Sequence, residues 1–137
     1  MVFLDTNILT YASTTQDMAK RGSAQRLLND LYYNLDGCIS MQVLRELANV
    51  LFKKFSLPAS EVRRIVTGFS TLPCVEETRE TLDRAISIKE RYGLQFYDSL
   101  IVASAAEASC TTLYSEDLSD GMVYDGVRIE NPFRQKA

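Results

Sequence analysis

Short apolar runs alternate with longer stretches in which apolar residues recur every three or four positions, and this alternation restricts the fold more than any other feature. Val2-Phe3-Leu4, Cys38-Ile39-Ser40, Pro73-Cys74-Val75, Thr111 to Tyr114 and Val127-Arg128-Ile129 have strand character. Helical spacing predicts a helix from about Gln16 to Tyr33, with Ala24, Leu27, Leu28, Leu31 and Tyr32 on one face. A second helix carries Val43, Leu44, Leu47, Val50 and Leu51 and runs to about Lys54; Pro58 opens a third, with Val62, Ile65, Val66 and Phe69. A fourth starts near Glu77, carries Leu82, Ala85, Ile86 and Ile88, and stops at Gly93; Phe96 to Ala108 is a fifth, small and rich in apolar residues. Strands joined through helices require right-handed crossovers. The expected fold class is therefore α/β, a mainly parallel five-stranded sheet with helices on both faces.

The 137 residues, 46% hydrophobic and 24% charged, fit one soluble domain spanning 1–137. That length buries about two-thirds of its extended-chain surface, so no disulfide or metal is needed to hold the fold. No segment is low in complexity, and no apolar run approaches the ~18 residues of a membrane span. Met1 to Leu4 lacks a basic flank and meets Asp5 at once, so a signal peptide is not expected. Cys38, Cys74 and Cys110 form no CxxC pair, and read as reduced, largely buried thiols of a cytoplasmic protein. A net charge of −3 argues against bulk attraction to a polyanion but leaves local basic patches open. Histidine is absent. Its absence excludes Ser-His-Asp and Cys-His triads, His-based acid–base chemistry and every His-containing zinc site.

In an open α/β sheet, ligands bind beyond the carboxyl ends of the strands. Asp5 follows the first strand directly, and Asp117 lies just past the fourth. Glu46 sits in the second turn of the helix leaving the second strand, and Asp98 in the first turn of the helix before the fourth. Glu46 borders the buried stripe and is harder to dismiss, but the others have plainer explanations. Asp5 can cap the following helix, Asp98 can complement a helix dipole, and Asp117 and Asp120 lie in the turn-rich Ser-Glu-Asp-Leu-Ser-Asp-Gly. Taken together, four carboxylates fall on one rim. Such acids repel unless a proton or cation intervenes, and an oxygen-only site favours Mg²⁺ or Mn²⁺ over zinc. Metal-assisted hydrolysis of a phosphodiester is the matching reaction class. There is no Gly-rich phosphate loop. An aspartyl-phosphate phosphatase would carry a second Asp two residues after the first, where this chain has Asn7. A phosphorylatable receiver would need an acidic pair after the first strand, which is also missing.

Val2-Phe3-Leu4-Asp5-Thr6-Asn7-Ile8-Leu9 resembles the opening motif of PIN-domain proteins. Ser40 to Leu47 is similar to the segment bearing their second acid, here Glu46. Phe96 to Ala105 is similar to the third motif, with Asp98, and Leu113 to Gly121 to the fourth, with Asp117. Asn131-Pro132-Phe133 is a common ending, and at this size the chain most resembles the VapC toxins of toxin–antitoxin pairs. The resemblance implies a three-layer αβα PIN-like fold and Mg²⁺- or Mn²⁺-dependent endoribonuclease activity. It implies Asp5 and Asp98 as metal ligands, with Glu46 and Asp117 completing a catalytic acidic pocket. Thr6, Asn7 and Ser115 would orient these acids or bound water, and Asp120 is either a fifth acid or a turn residue.

The implied partners are an RNA substrate, a VapB-like antitoxin and a second copy of the chain, in a larger assembly that meets DNA only through the antitoxin; no membrane is implied. Phe52, Phe55 and Leu57 are candidates for the antitoxin groove, or else core. Lys20, Arg21, Arg26, Arg45, Lys53 and Lys54 are candidates for RNA contact, or else solvated helix faces. A non-catalytic PIN module, a metal-dependent phosphatase and a DNA nuclease remain the alternatives.

Overall fold

A computed structural model describes residues 1–134. Its elements run β1 (Val2–Leu4), α1 (Thr6–Ser13), α2 (Met18–Tyr33), β2 (Gly37–Ser40), α3 (Met41–Lys53), α4 (Ala59–Phe69), β3 (Cys74–Val75), α5 (Arg79–Tyr92), α6 (Phe96–Glu107), β4 (Thr112–Tyr114), β5 (Val123–Tyr124) and β6 (Val127–Glu130). The strands form one sheet in the order β3-β2-β1-β4-β6-β5, parallel except for the β5–β6 pair. The chain therefore steps outward from β1 to β3, then returns to lay β4 on the other side of β1. Right-handed crossovers in these two opposite directions put the α1–α4 and α5–α6 connections on opposite faces. The packing agrees: α1 packs on α2 and α3, α3 on α4, and α5 mainly on α6. The layered α/β class read from the alternation is the one observed.

Two details differ from the expectation. The sheet has six strands, because Asp125 and Gly126 both take positive φ (51° and 81°) and fold β5 back onto β6 as a two-residue hairpin. Asp-Gly is the residue pair that such a primed turn favours. The segment after β1 is also a helix of its own. Asp17 caps a second helix by accepting from the Lys20 amide at 3.0 Å, and so separates α1 from α2. Elsewhere the ends fall close to their signals, and Gly93 closes α5 at φ 72° as the left-handed cap.

Phe3, Leu4, Ile39, Leu113 and Ile129 of the strands are sealed between Ile8, Leu9, Leu47 and Leu51 from one helix group and Ile101 and Val102 from the other. Burying each such side chain contributes about 1.5–3 kcal/mol. Cys38 and Cys110 are buried in this core; Cys74 is only half-buried, because β3 is an edge strand. No helix among the described residues is long and apolar enough to cross a membrane.

Candidate functional site

The strand order reverses between β1 and β4, and the crevice beyond their carboxyl ends is where an open α/β sheet receives a ligand. Leu4 pairs with Tyr114, and the Asp5 amide donates to the Tyr114 carbonyl at 3.0 Å. That register sets Asp5 beside Ser115 at the end of the two central strands. Asp5 caps α1, accepting from the Thr6 amide at 2.7 Å, so the capping role holds. It is not the whole role. Its second oxygen accepts from the Ser115 hydroxyl at 2.8 Å, the residue is 5% exposed, and Glu46 and Asp117 lie close enough to repel it. Burial is the largest influence and outweighs both hydrogen bonds, so the Asp5 carboxyl is pushed up to about 6.

The other three acids arrive from separate elements. Glu46 projects from α3; one oxygen accepts from the Thr6 hydroxyl at 2.8 Å and the other from the Gln42 side-chain amide at 2.8 Å. Asp117 follows β4 and accepts from the Asn7 side chain at 3.1 Å. Asp98, in the first turn of α6, is half-buried and accepts no side-chain hydrogen bond among the described residues. Burial, then repulsion from Asp117 and Glu46, raises its carboxyl above the usual range. The expected supporting residues are thus distributed one to an acid: Thr6 on Glu46, Asn7 on Asp117, Ser115 on Asp5. Ser115 also accepts from the Asp117 amide at 3.2 Å, and Asn7 from the Glu116 amide at 3.3 Å, which fixes the loop after β4.

Asp120 is not brought to this rim. It accepts from the Asn131 amide at 2.8 Å and from Arg134 at 3.2 Å, so the loop role is the one realised. Two residues beside the rim were not singled out from the sequence, where the i, i+4 spacing of Gln42 to Glu46 was the one local signal. Gln42 reaches both Glu46 and α6, and Glu77 caps α3 by accepting from the Gln42 amide nitrogen at 2.7 Å while pairing with Arg45 at 3.1 Å. Phe55 and Leu57 pack partly against the core, whereas Phe52 is 47% exposed.

Charge separates the four acids from their neighbours. Glu116 pairs with Lys20, Glu77 with Arg45, and Asp120 with Arg134. Asp5, Glu46, Asp98 and Asp117 have no cationic partner among the described residues, where no three acids close into a cage that would enclose an ion. An open rim still fits a hard cation. Mg²⁺ is commonly held by one or two carboxylates and retains several waters, and a positive charge would relieve the repulsion that raises Asp5 and Asp98. A cleft of about 400 Å³ adjoins the rim, lined by Asn7, Tyr11, Gln16, Glu46, Asn49, Lys54 and Asp117 among others.

The fold and the rim define an open α/β domain with an uncompensated acidic crevice at its switch point. The family model described as PIN domain matches residues 2–119. The chain belongs to the PIN domain family. Comparison with curated proteins finds no significant match. Among solved structures it is similar to VapC20 of Mycobacterium tuberculosis, described as a sarcin-ricin loop cleaving toxin, at 19% identity and TM-score 0.69 over 85% of this chain and 90% of that one. It is also similar to a toxin–antitoxin complex from Klebsiella pneumoniae, at 21% identity and TM-score 0.74 over 98% and 100%. A third is VapBC2 from Rickettsia felis bound to a DNA fragment from their promoter, at 19% identity and TM-score 0.68 over 96% and 98%. At these identities the likeness is one of fold.

Proposed function

We propose that this chain is an endoribonuclease that requires Mg²⁺ or Mn²⁺ and serves as the toxin of a toxin–antitoxin pair. The observation that carries most weight is the uncompensated charge of four carboxylates at the switch-point crevice. Asp5 and Asp98 would hold the cation, with Glu46 and Asp117 completing the acidic pocket. Once bound, such an ion polarises a phosphodiester and lowers the pKa of a bound water. The chain's residues contribute position. Ser115 and the Thr6 amide hold both oxygens of Asp5, the Thr6 hydroxyl holds Glu46, and Asn7 holds Asp117. No histidine is present to take a proton from a ribose 2′-hydroxyl. Cleavage by water is therefore expected, leaving 5′-phosphate and 3′-hydroxyl ends.

The adjoining cleft suits a nucleotide next to the cut. Lys54 lies in it without an acidic partner among the described residues and offers a phosphate contact, while Asn49 and Gln16 offer hydrogen bonds. Lys20 and Arg45 are taken by Glu116 and Glu77, and among the other basic candidates Lys54 is the one that lines this cleft. VapC20 is described as a sarcin-ricin loop cleaving toxin, the Klebsiella structure as a toxin–antitoxin complex, and the Rickettsia structure as VapBC2 bound to a DNA fragment from their promoter. By that likeness the partner is a VapB-like antitoxin, with promoter DNA bound through it, and the PIN-domain resemblance adds a second copy of the chain.

The test is cleavage of total RNA by the purified protein with Mg²⁺ or Mn²⁺, with EDTA and Asp5→Asn as controls. Discrete fragments that vanish in both controls support the proposal. Fragments that persist in EDTA and with Asp5→Asn would come from a contaminating, metal-independent ribonuclease and count against the proposal, whereas a folded wild type that cuts nothing and is harmless when expressed would point to a binding module.

A further inference from the structure

Gln42 lies in the first turn of α3, one helical turn before Glu46, and is 5% exposed. Its side-chain nitrogen donates to Glu46 Oε1 at 2.8 Å and to the main-chain carbonyl of Tyr97 at 3.2 Å. Both partners only accept, so the orientation of the amide is set by them. The Gln42 side-chain oxygen, by contrast, is buried without a hydrogen-bond partner among the described residues. An acceptor buried without a partner is destabilising, a penalty that Met or Leu filling the same space would not carry. The two bonds made by the side-chain nitrogen are offset by that penalty, so stability alone gives little reason for glutamine here. Position does, because Tyr97 immediately precedes Asp98, and one amide joins the acid on α3 to the backbone that carries the acid on α6.

The chemistry of the donor matters as well. Lysine or arginine at this place would neutralise Glu46 and compete with any cation for it. A carboxylate would repel Glu46. A neutral amide holds one Glu46 oxygen while leaving the negative charge intact, and the Thr6 hydroxyl does the same at the other oxygen.

We propose that Gln42 is a positioning residue of the acidic rim, holding Glu46 and the backbone at Asp98 in one register so that a divalent cation meets them preorganised. The inference rests on the metal-dependent nuclease reading above. Hydrogen-bonded partners that orient metal ligands typically change affinity or activity by about 10–100-fold when removed.

The test compares the purified full chain with Gln42→Met, which keeps the volume but removes the donor, and Gln42→Glu, which turns a like charge toward Glu46. Mn²⁺ binding is read from the paramagnetic resonance of the free ion, cleavage from kcat and KM on one RNA, and folding from thermal unfolding. Gln42→Met should unfold at or above the wild-type temperature yet bind Mn²⁺ about 10–100-fold more weakly. Its kcat at fixed metal should fall within the same range with KM for RNA unchanged, and Gln42→Glu should lose more. Mn²⁺ affinity and kcat within twofold of wild type in folded Gln42→Met would overturn the assignment, as would a loss that merely follows lowered stability. Wild type that binds Mn²⁺ but cuts no RNA would defeat the nuclease reading while the binding comparison still decides for Gln42. Wild type that binds no Mn²⁺ would defeat both.

Discussion

The two ends of the sheet each carry a charged cleft, and they differ in kind. At the amino end of β6, a cleft of about 520 Å³ is lined by Arg79, Glu80, Asp83, Arg84, Arg91 and Asp125 among others. It is the larger of the two, yet its charges balance. Arg84 pairs with Asp125 at 2.7 Å, and the Tyr92 hydroxyl accepts from the Asp125 amide at 3.1 Å. At the carboxyl ends of β1 and β4 the cleft is smaller, about 400 Å³; Glu46 and Asp117 line it, Asp5 and Asp98 stand beside them, and none of the four has an ion-pair partner among the described residues. Room and charge density exist at both ends. Only one end keeps charge that the protein itself does not neutralise, and that end coincides with the topological switch point.

The largest expected difference between the ends is in activity. Asp98→Asn should lower RNA cleavage more than about 100-fold, since even partners that merely orient a ligand account for 10–100-fold. Circular dichroism should show an unchanged fold. Residual activity above one-tenth of wild type would place the chemistry elsewhere.

Stability should move in the opposite sense. The Asp5 carboxyl titrates at about 6 in the folded protein against an ordinary value of 3.8. A raised acid opposes folding once the unfolded chain ionises, so its penalty is absent below about pH 4, grows between about 4 and 6, and is constant above. Two units correspond to about 3 kcal/mol. In metal-free buffer Asp5→Asn should therefore be about 2 kcal/mol more stable than wild type at pH 7.5, one acceptor bond being lost, and no more stable at pH 3.5. Urea unfolding at the two pH values checks this; a destabilised variant at pH 7.5 would mean that the rim's charge is compensated after all.

Smaller effects sharpen the contrast. Lys54→Glu should raise KM for RNA by roughly tenfold, an order of magnitude for reversing one phosphate-contacting charge, with kcat little changed and the effect shrinking in high salt. Arg84→Ala at the balanced end should leave cleavage unchanged and reduce stability by no more than about 1 kcal/mol, the range of exposed ion pairs. A kinetic defect in Arg84→Ala would erase the distinction between the two clefts.

How far the sequence foretold this depends on the range of each interaction. The strand ends and the helices from α2 to α6 were legible because each has a local period or stop signal; Gly93 and Pro58 sit where those signals place them. The four acids were legible because topology alone sends Asp5, Glu46, Asp98 and Asp117 to one edge. The short α1 was not separated out, because Asp5-Thr6-Asn7 also read as a turn and its apolar Ile8, Leu9 and Ala12 span little more than one helical turn. The β5 strand spans only two residues, although Asp125-Gly126 carried the hairpin signal. The Gln42–Glu46 pair has the i, i+4 spacing of one helix face, but the contacts of Gln42 with Tyr97 and of Glu77 with α3 were not legible, because those partners lie 32 to 55 residues away. Asp120 fits the turn reading for the same reason in reverse, since its loop closes onto Asn131.

The most direct measurement is thermal unfolding at pH 7.5 with and without Mg²⁺ for wild type, Asp5→Asn and Arg84→Ala. A cation bound only by the folded state at 100 times its dissociation constant stabilises by about 2.7 kcal/mol, roughly 5–10 °C for a chain of this size. Wild type and Arg84→Ala should rise by that amount, and Asp5→Asn, already more stable without metal, should rise little. An unchanged melting temperature in wild type, or an equal rise in all three, would contradict the assignment of the rim as the cation site.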